Sequence, residues 1–449
     1  MSAERKIFRV IIICIPLMLI FMNTNSQCAE YHVSNSTELQ NALNDSGTNY
    51  EDDIVKIAQG TYFGNFSFYD FKGYSITIRG GYTSGFNNSE LNPSNTILDG
   101  GSNDTVLKIE NTNYGGNILI EGLTIRNGHY SGGLEVSSWS SKGSAGDITI
   151  KNNIITQNTS DTNGGGVMIN DSSGPSAQQG DVIFEQNIVT HNTAGYHGGG
   201  VYIYYVAESG PAGHIQVKKN IIMDNKTIEH CTGGITIHPS FIGEPKVGPH
   251  VLFANNLIVR NTSNSYSGGC LIAGRTTSST IILHNTISQN TATGICGRGG
   301  GLYISGGDNV DLYNNIIWKN TASESGQDIY FEDTVIANGF NNDYSDMDGG
   351  WTNSNGNIDA DPGFVDPNGG NYHLRSYSPC IDSGTNAVPV SLATDYEGDE
   401  RVLDGNNDGE AIADIGTDEY VWTPKVTPWI PLLLDDSSPS SPPAPPIIK

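Results

Sequence analysis

Alternating apolar and polar residues recur along the chain in short runs, a pattern typical of β-strands rather than helices. Six such runs follow one another at similar distances: DITIKN, DVIFEQ, HIQVKK, HVLFAN, TIILHN and NVDLYN. A Gly pair recurs at steps of 33, 34, 34, 35 and 32 residues, and its second members are Gly133, Gly166, Gly200, Gly234, Gly269 and Gly301. An internal period of this length indicates a solenoid in which each repeat forms one coil.

Two Asn five residues apart follow each run: Asn153/Asn158, Asn187/Asn192, Asn220/Asn225, Asn256/Asn261, Asn285/Asn290 and Asn315/Asn320. Asn tolerates left-handed backbone and can pair with an identical side chain stacked above it, while Gly allows backbones to approach closely. The sequence therefore predicts an all-β fold, a single-stranded parallel β-helix with coils about 4.8 Å apart. Right-handed winding is expected, because parallel crossovers are almost always right-handed.

The two ends of the chain depart from this repeat. The segment NSTELQNALND (35–45) has helical spacing, with Leu39, Ala42 and Leu43 on one face and Asn35 or Ser36 as N-cap. A short N-terminal helix would cap the open end of the solenoid. The expected organisation is a signal peptide (1–29), a cap with irregular first coils (30–99), regular coils (100–335), C-terminal coils with an end module (336–421) and a Pro/Ser-rich tail (422–449).

The net charge and the first residues of the chain indicate where the protein is located and which partners are excluded. Arg5, Lys6 and Arg9 precede the apolar stretch VIIICIPLMLIF, which predicts an export signal. The mature protein is therefore expected to be secreted, extracellular or on the cell surface, and not membrane-spanning, since about 12 apolar residues are too few to span. The formal net charge of −26 argues against nucleic acid as a partner, because phosphate binding needs Lys and Arg.

Four cysteines lie beyond the predicted signal peptide: Cys231, Cys270, Cys296 and Cys380. Export permits disulfides, but this spacing does not define a pairing. Cys270 takes the place of an inward aliphatic residue in the repeat, so a small buried thiol is expected there.

The quoted patterns resemble a known group of proteins. SITIRGGY, NTILDGG, IEGLTIRNG and GGL resemble secreted bacterial right-handed β-helix proteins of the pectate-lyase-like superfamily, in the branch with polymorphic-outer-membrane-protein-like repeats. NIDADPGFVDPNGGNYHLRSYSPCIDSGTN and DIGTDEY resemble the end module of choice-of-anchor Q domain proteins. Together the two resemblances cover about residues 31–421 and imply a surface or extracellular protein. An anchor is often carried in the final segment of such proteins, but the tail here has neither a hydrophobic span nor a basic stop.

One corner of the predicted coils gathers candidate catalytic or metal-binding residues. Stacking would bring His197, Glu229 and His230 within about 5–8 Å of one another. His with Glu can serve acid–base chemistry, and with Cys231 the same residues could ligate a metal. A solvated polar edge is the ordinary alternative. The resemblance implies acidic Ca²⁺ ligands with a basic residue in lyases and paired Asp in hydrolases, and neither arrangement is found in register.

Aromatic residues define a second candidate site. Trp139, Tyr202, Tyr204, His238 and Tyr303 fall at or near outward positions after the Gly pairs, and Tyr205 lies close by. Exposed aromatic faces can stack on sugar rings, so these residues are candidate ligands of a polysaccharide or cell-surface glycan. The alternative is that Tyr is simply a good residue for an exposed strand.

The segment DGNNDGEAIADIG (404–416) partly matches a calcium-binding loop. Asp404, Asn406 and Asp408 alternate before Gly409, but Ile415 occupies the position that should hold an acidic residue. An acidic turn without an ion is the alternative. No cofactor is expected to be required, and Ca²⁺ is the ion that the sequence leaves open.

The resulting hypothesis is an extracellular or cell-surface β-helix protein that binds glycans or mediates adhesion through one face. The alternatives are a lyase or glycoside hydrolase acting on an acidic polysaccharide, and a structural rod without a ligand. An enzyme requires clustered acidic and basic groups with shifted pKa values, whereas a binding protein requires an aromatic or polar platform.

Overall fold

The computed structural model describes residues 28–208, 211–242, 248–274, 279–306, 309–345, 347 and 355–421. Residues 1–27, with most of the predicted signal peptide, and 422–449, the predicted tail, lie outside this part of the chain. Cys28 and Ala29, at the end of the predicted signal peptide, begin the first strand. No helix among the described residues is long and apolar enough to cross a membrane.

Four parallel sheets run side by side along the solenoid, here named A to D. From residue 148 to residue 331 each coil contributes strands in the order A, B, D, C, and each strand pairs with its counterparts in the coils before and after it. One further two-stranded antiparallel sheet consists of Phe364–Asp366 and Asn371–Leu374. The predicted parallel β-helix is therefore confirmed.

Sheet A consists of Cys28–Val33, Asp52–Ala58, Ile76–Tyr82, Ile118–Glu121, Ile148–Lys151, Val182–Glu185, His214–Lys218, His250–Ala254, Ser279–Leu283, Asn309–Tyr313 and Ile336–Phe340. Sheet B consists of Gly60–Phe63, Thr96–Asp99, Thr124–Arg126, Ile154–Thr156, Ile188–Thr190, Ile221–Met223, Leu257–Val259, Thr286–Ser288, Ile316–Trp318 and Asp343–Tyr344. Sheet C consists of Phe66–Asp70, Leu107–Asn113, Leu134–Ser144, Val167–Gln178, Val201–Ala207, Ile235–Phe241, Cys270–Ala273, Leu302–Ser305 and Ile329–Phe331. Sheet D consists of Thr159–Ser160, Thr193–Ala194, Lys226–Thr227, Thr262–Ser263, Thr291–Ala292 and Thr321–Ala322.

The Gly pairs form one continuous line along the axis, as the period predicts. Backbone N–H groups donate to Gly carbonyls of the next coil from Gly133 to Gly166 (3.2 Å), Gly166 to Gly200 (3.0 Å), Gly200 to Gly234 (3.0 Å), Gly234 to Gly268 (3.0 Å) and Gly269 to Gly300 (3.0 Å). A Cβ placed on Gly166 would lie 2.7 Å from the Gly200 carbonyl oxygen and 2.9 Å from Asn192 Nδ2. Only Gly therefore lets the coils stack at this corner.

Two buried Asn ladders flank sheet B. In the second ladder, Asn192 donates from its backbone N and from Nδ2 to Asn225 Oδ1 (both 3.0 Å), and from Nδ2 to the carbonyl of Ile155 (2.9 Å). The first ladder continues beyond the six predicted pairs through Asn342 and Asn357. The second ends on Asp328, whose Oδ1 accepts from the backbone N and Nδ2 of Asn320. The ladders satisfy buried backbone groups that the sharp corners leave free of the sheets.

The solenoid interior is mainly apolar, and one polar site in it lies near the turn from sheet C to sheet A. Asp171 is fully buried there, with Ser138 of the preceding coil and Gln179 as its polar neighbours. Burial raises the pKa of Asp171 to about 7. In the following coil Tyr205 also points inward, where its hydroxyl accepts from Gly213 N (2.6 Å).

The N-terminal end is closed by helix α1, Ser36–Ser46, as expected from its sequence. Asn35 is the N-cap, since its Oδ1 accepts from Glu38 N (2.9 Å), and a carboxylate oxygen of Glu38 accepts from Ser34 N (2.8 Å). Leu39 and Leu43 are fully buried against the first coils. The capping helix therefore covers the apolar end of the solenoid.

The C-terminal segment, residues 359–421 and here called the return module, packs against the outer face of sheet B. Its apolar residues Phe364, Leu374 and Ile381 share a buried cluster with outward residues of sheet B: Ile154, Ile188, Ile221, Met223, Leu257, Val259 and Ile316. Sheet B is thus apolar on both faces, as in parallel sheets covered on both sides.

A column of left-handed residues at the corner between sheets A and B holds the return module. Lys219, Asn255, His284 and Asn314 have φ of 53–55° and precede the first-ladder Asn in their coils. Asn255 Nδ2 donates to the Thr394 carbonyl (2.8 Å), and the same residue's Oδ1 accepts from Arg401 (2.6 Å). Arg401 is buried and pairs with the buried Glu419 (3.4 Å). The module is therefore held by buried polar contacts as well as by apolar packing.

The described cysteines are all free, and Cys270 is fully buried, which confirms the expected buried thiol. Cys380 is also buried, and its Sγ lies 3.3 Å from Asp343 Oδ2. Burial raises the pKa of both thiols, so they have the character of core residues rather than of nucleophiles.

Candidate functional site

The outer face of sheet C carries the predicted aromatic residues in three columns, defined by the strand register. The first column is Lys108, Glu135, Met168, Tyr202, Thr236, Leu271, Tyr303 and Tyr330. The second is Tyr69, Glu110, Ser137, Asn170, Tyr204 and His238, and the third is Thr112, Trp139, Ser172, Val206 and Ser240. The predicted vertical alignment of these residues is confirmed.

The first column is not the open platform that alternation alone predicts. Tyr202 and Tyr303 are only 7% and 4% exposed, so their expected exposure is wrong. Residues of the corner between sheets D and C lie over this column: Tyr202 packs beside His197 (5.6 Å between ring centroids), and Tyr303 clusters with Cys231. Burial raises the pKa of Tyr202 to about 12.

The second and third columns are more open to solvent, although Val206 in the third is only 7% exposed. Trp139 is 41% exposed and Tyr204 is 37% exposed, and His238 stands edge-on to Tyr204 with ring centroids 5.5 Å apart. Tyr205, expected near this group, points into the core because successive residues of a strand face opposite sides. The aromatic platform is therefore Trp139, Tyr204 and the half-buried His238, and Tyr69, which is 44% exposed, lies at the start of the second column.

A charged group lies beside this platform and was not recognised from the sequence. Lys108 Nζ is 2.7 Å from a Glu110 carboxylate oxygen and 3.6 Å from one of Glu135. The Glu110 hydrogen bond raises the pKa of Lys108, which keeps its amine protonated. The sequence signal for this charged group is the alternation in LKIE (107–110), with Glu135 one coil later. The coil that contains LKIE is too irregular for its register with the next coil to be predicted.

The predicted cluster of His197, Glu229, His230 and Cys231 does not form a metal-binding geometry. His230 stacks on Tyr196 (5.5 Å), and Cys231 is buried, which raises the pKa of its thiol to about 11. His197 is half-buried, and burial lowers its pKa. No three ligand atoms from these described residues converge within 4.8 Å. A catalytic role for His197, Glu229 and His230 stays a prediction.

The acidic loop of the predicted calcium site forms a tight turn closed by its own backbone. Asp404 accepts from Asp408 N and Gly409 N (both 3.0 Å), and Asn406 accepts from Asp408 N (2.9 Å). Asp408 in turn accepts from Glu410 N (2.9 Å). These oxygens already have donors, as in an Asx-rich turn. Calcium binding here stays a prediction.

A different trio in the return module brings three ligand atoms together within 4.8 Å: His373, Glu397 and Asp418. His373 Nδ1 lies 2.8 Å from Asp418 Oδ1, and its Nε2 lies 3.6 Å from Glu397 Oε1. The hydrogen bond to Asp418 raises the pKa of His373 to about 9. At that pKa the His373 imidazole is protonated at neutral pH, and it forms a partly buried ion pair with Asp418 within the module.

The fold defines the class of protein: a parallel β-helix with a capped N-terminal end and a C-terminal segment folded along one side. Residues 142–343 match the family model described as "Right handed beta helix region", in agreement with the predicted right-handed winding. No curated protein and no solved structure matches the chain. The finer resemblances, to the pectate-lyase-like superfamily and to choice-of-anchor Q modules, stay predictions.

Proposed function

We propose that the protein binds a glycan chain along the outer face of sheet C, in the extracellular space or on a cell surface. The observation that carries the proposal is the pair Trp139 and Tyr204, both exposed on this face. Aromatic faces beside polar groups are suited to sugar rings. The two residues lie on strands two coils apart, about 10 Å at the spacing of neighbouring strands. A chain following the solenoid axis could therefore contact both.

Neighbouring polar side chains complete the platform. Ser137, Asn170 and Ser172 occupy outward positions between Trp139 and Tyr204, and small hydroxyl and amide groups can donate to and accept from sugar hydroxyls. The group of Lys108, Glu110 and Glu135 adds both signs of charge at one end.

Binding is favoured over cleavage by the chemistry of this face. Elimination requires a base that is unprotonated before it takes a proton, whereas the raised pKa of Lys108 keeps its amine protonated. Glu110 and Glu135 each contact that ammonium group, so the pair has no arrangement in which one carboxyl serves as acid and the other as base.

The proposal is tested by passing purified protein over a panel of immobilised polysaccharides. Retention and the release of new reducing or unsaturated ends are recorded together. Trp139→Ala and Tyr204→Ala should each reduce retention, and the double variant should abolish it. Phe63→Ala is the matched control, since Phe63 is an exposed aromatic residue on sheet B.

Two results would contradict the proposal. Retention unchanged in the Trp139/Tyr204 double variant would remove the platform. Release of new chain ends that is lost in Glu110→Gln or Glu135→Gln would make the protein an enzyme acting at the charged group.

A further inference from the structure

A cleft lies where the return module meets the last coils of sheet B. Its wall on the solenoid side comes from Ser288, Gln289, Trp318 and Lys319, and its other wall comes from Asp361, Gly363, Phe364, Pro367, Arg375 and Tyr377. The cleft exists because the module packs there: Tyr372 donates to Gln289 Oε1 (2.5 Å), and Gln289 Nε2 donates to Asn368 Oδ1 (3.1 Å). This site shares no residue with the sheet C platform.

Aromatic surfaces form part of the cleft. Phe364 is buried, with its ring 5.2 Å from that of Tyr372, which fixes its position. Tyr377 is 69% exposed, the highest exposure of any Tyr among the described residues. Phe63 on sheet B is exposed to a similar degree, 68%. Gly363 lies directly against Tyr377, since a Cβ on Gly363 would be 3.4 Å from the ring. The Tyr377 ring therefore stands at the mouth of the cleft, with one face free.

Polar groups of both signs surround these rings. Lys319 Nζ lies 3.7 Å from an Asp361 carboxylate oxygen, and both side chains are exposed. Arg375 donates to the Tyr377 hydroxyl (2.9 Å) and to the Val365 carbonyl (2.5 Å), which holds the guanidinium plane in place. The indole N–H of Trp318 is buried and has no acceptor within reach in the described structure. The cleft thus offers oriented donors and one acceptor carboxylate.

We propose that this cleft binds a single neutral pyranose ring. Hydroxyl groups both donate and accept, so they can satisfy Asp361, Lys319 and Arg375 together, whereas an ion of either sign would be repelled by one of them. The ring face stacks on Tyr377, and the hydroxyls of the same ring reach the polar groups at the mouth of the cleft.

The size of the cleft restricts the ligand to one ring. Its volume is about 170 Å³. Sites for drug-sized ligands are larger, about 300–1,000 Å³. The cleft therefore holds one sugar unit, either a free monosaccharide or the end of a chain, and affinity in the millimolar range is expected for so few contacts.

Saturation-transfer NMR with the methyl glycosides of glucose, galactose, mannose and N-acetylglucosamine tests the proposal on the full chain. At least one glycoside should receive saturation and show millimolar affinity. Tyr377→Ala should weaken that affinity about tenfold, as expected for the loss of a stacking face. Asp361→Asn should weaken it less, and Phe63→Ala, which removes an exposed aromatic residue from the first strand of sheet B, should leave it unchanged. Because Tyr377 and Asp361 are exposed, both variants should keep the wild-type circular dichroism spectrum.

Three outcomes would overturn the proposal. One is the absence of saturation transfer to all four glycosides. A second is a loss of affinity in Tyr204→Ala equal to that in Tyr377→Ala, which would place the binding on sheet C instead. The third is tighter binding of glucuronic acid than of its methyl ester, with the difference removed by Lys319→Met, which would make the cleft an anion site.

Discussion

Replacing Asn192 by Ala tests whether the Asn ladder stabilises the coils or only lines a corner. In the native ladder Asn192 Oδ1 accepts from both the backbone N and Nδ2 of Asn158 (3.0 Å each). Its own Nδ2 donates to the Ile155 carbonyl (2.9 Å) and to Asn225 Oδ1 (3.0 Å). The variant removes these contacts while leaving the backbone N–H of residue 192 in place.

The magnitude follows from the groups that lose their partners. Two buried groups are affected most, the Asn158 backbone N–H and the Ile155 carbonyl, whereas the Asn158 amide keeps its bond to the Ile125 carbonyl (3.1 Å). Each buried unpaired polar group costs about 1–3 kcal/mol, so a destabilisation of about 2–6 kcal/mol is expected. In a solenoid each coil contacts only its neighbours, so the loss should open the coils around residue 192 before the rest of the chain.

Thermal unfolding followed by circular dichroism gives the global effect, and amide hydrogen exchange gives the local one. Asn264→Ala is the matched control, because Asn264 is exposed at a corner and should change stability by no more than about 0.5 kcal/mol. Asp328→Asn should also destabilise, because Asp328 Oδ1 accepts from Asn320 and Oδ2 accepts from Ser345 N (3.0 Å), so an amide nitrogen would face a donor on one side. Equal melting temperatures for Asn192→Ala and Asn264→Ala would refute the reasoning.

Three further predictions concern buried charge. Burial raises the pKa of Asp171 from its ordinary 3.8 to about 7, so the folded state takes up a proton more readily than the unfolded state, and stability should fall as pH rises from about 4 to above 7. Asp171→Asn should remove up to roughly 4 kcal/mol of this penalty, seen as a higher melting temperature at pH 8 but not at pH 4. The raised pKa of His373 has the same sign at higher pH: its ion pair with Asp418 contributes fully below pH 6.5 and is lost as pH rises through about 9, so hydrogen exchange of the return module should increase there and His373→Gln should abolish that step. Arg401→Met leaves the buried Glu419 without its cationic partner and should weaken docking of the module, measured as faster proteolysis within residues 359–421.

Local patterns were sufficient to predict the coils. The Gly pairs and Asn pairs occur once in each coil, so their alignment along the solenoid axis follows from the period alone. The capping helix was equally accessible, since Asn35, Glu38 and Leu39 form a local signal. What these residues share is that their partners lie at fixed distances along the chain.

The errors arise where partners lie at variable distances. Tyr202 alternates correctly to the outside, but the corner before it folds back over the strand, and no period-two rule describes the path of a corner. The return module contacts coils more than 100 residues earlier, for example from Arg401 to Asn255. The column that receives the module holds Lys219, Asn255, His284 and Asn314, so its residue type changes from each coil to the next and gives no regular signal.

The position of the return module is also the strongest argument for which face of the solenoid binds. Sheet B is covered by the module through its middle and last coils, and the two-residue strands of sheet D offer little flat surface. The outer face of sheet A carries charges that pair with one another, such as Glu121 with Arg79 and Lys151, and Lys218 with Glu185. Among the described sheets, sheet C combines long strands with the exposed aromatic residues Trp139 and Tyr204 on its outer face. A ligand that needs several ring contacts in a row would therefore gain most on sheet C, and the cleft beside the module can add one further ring at most.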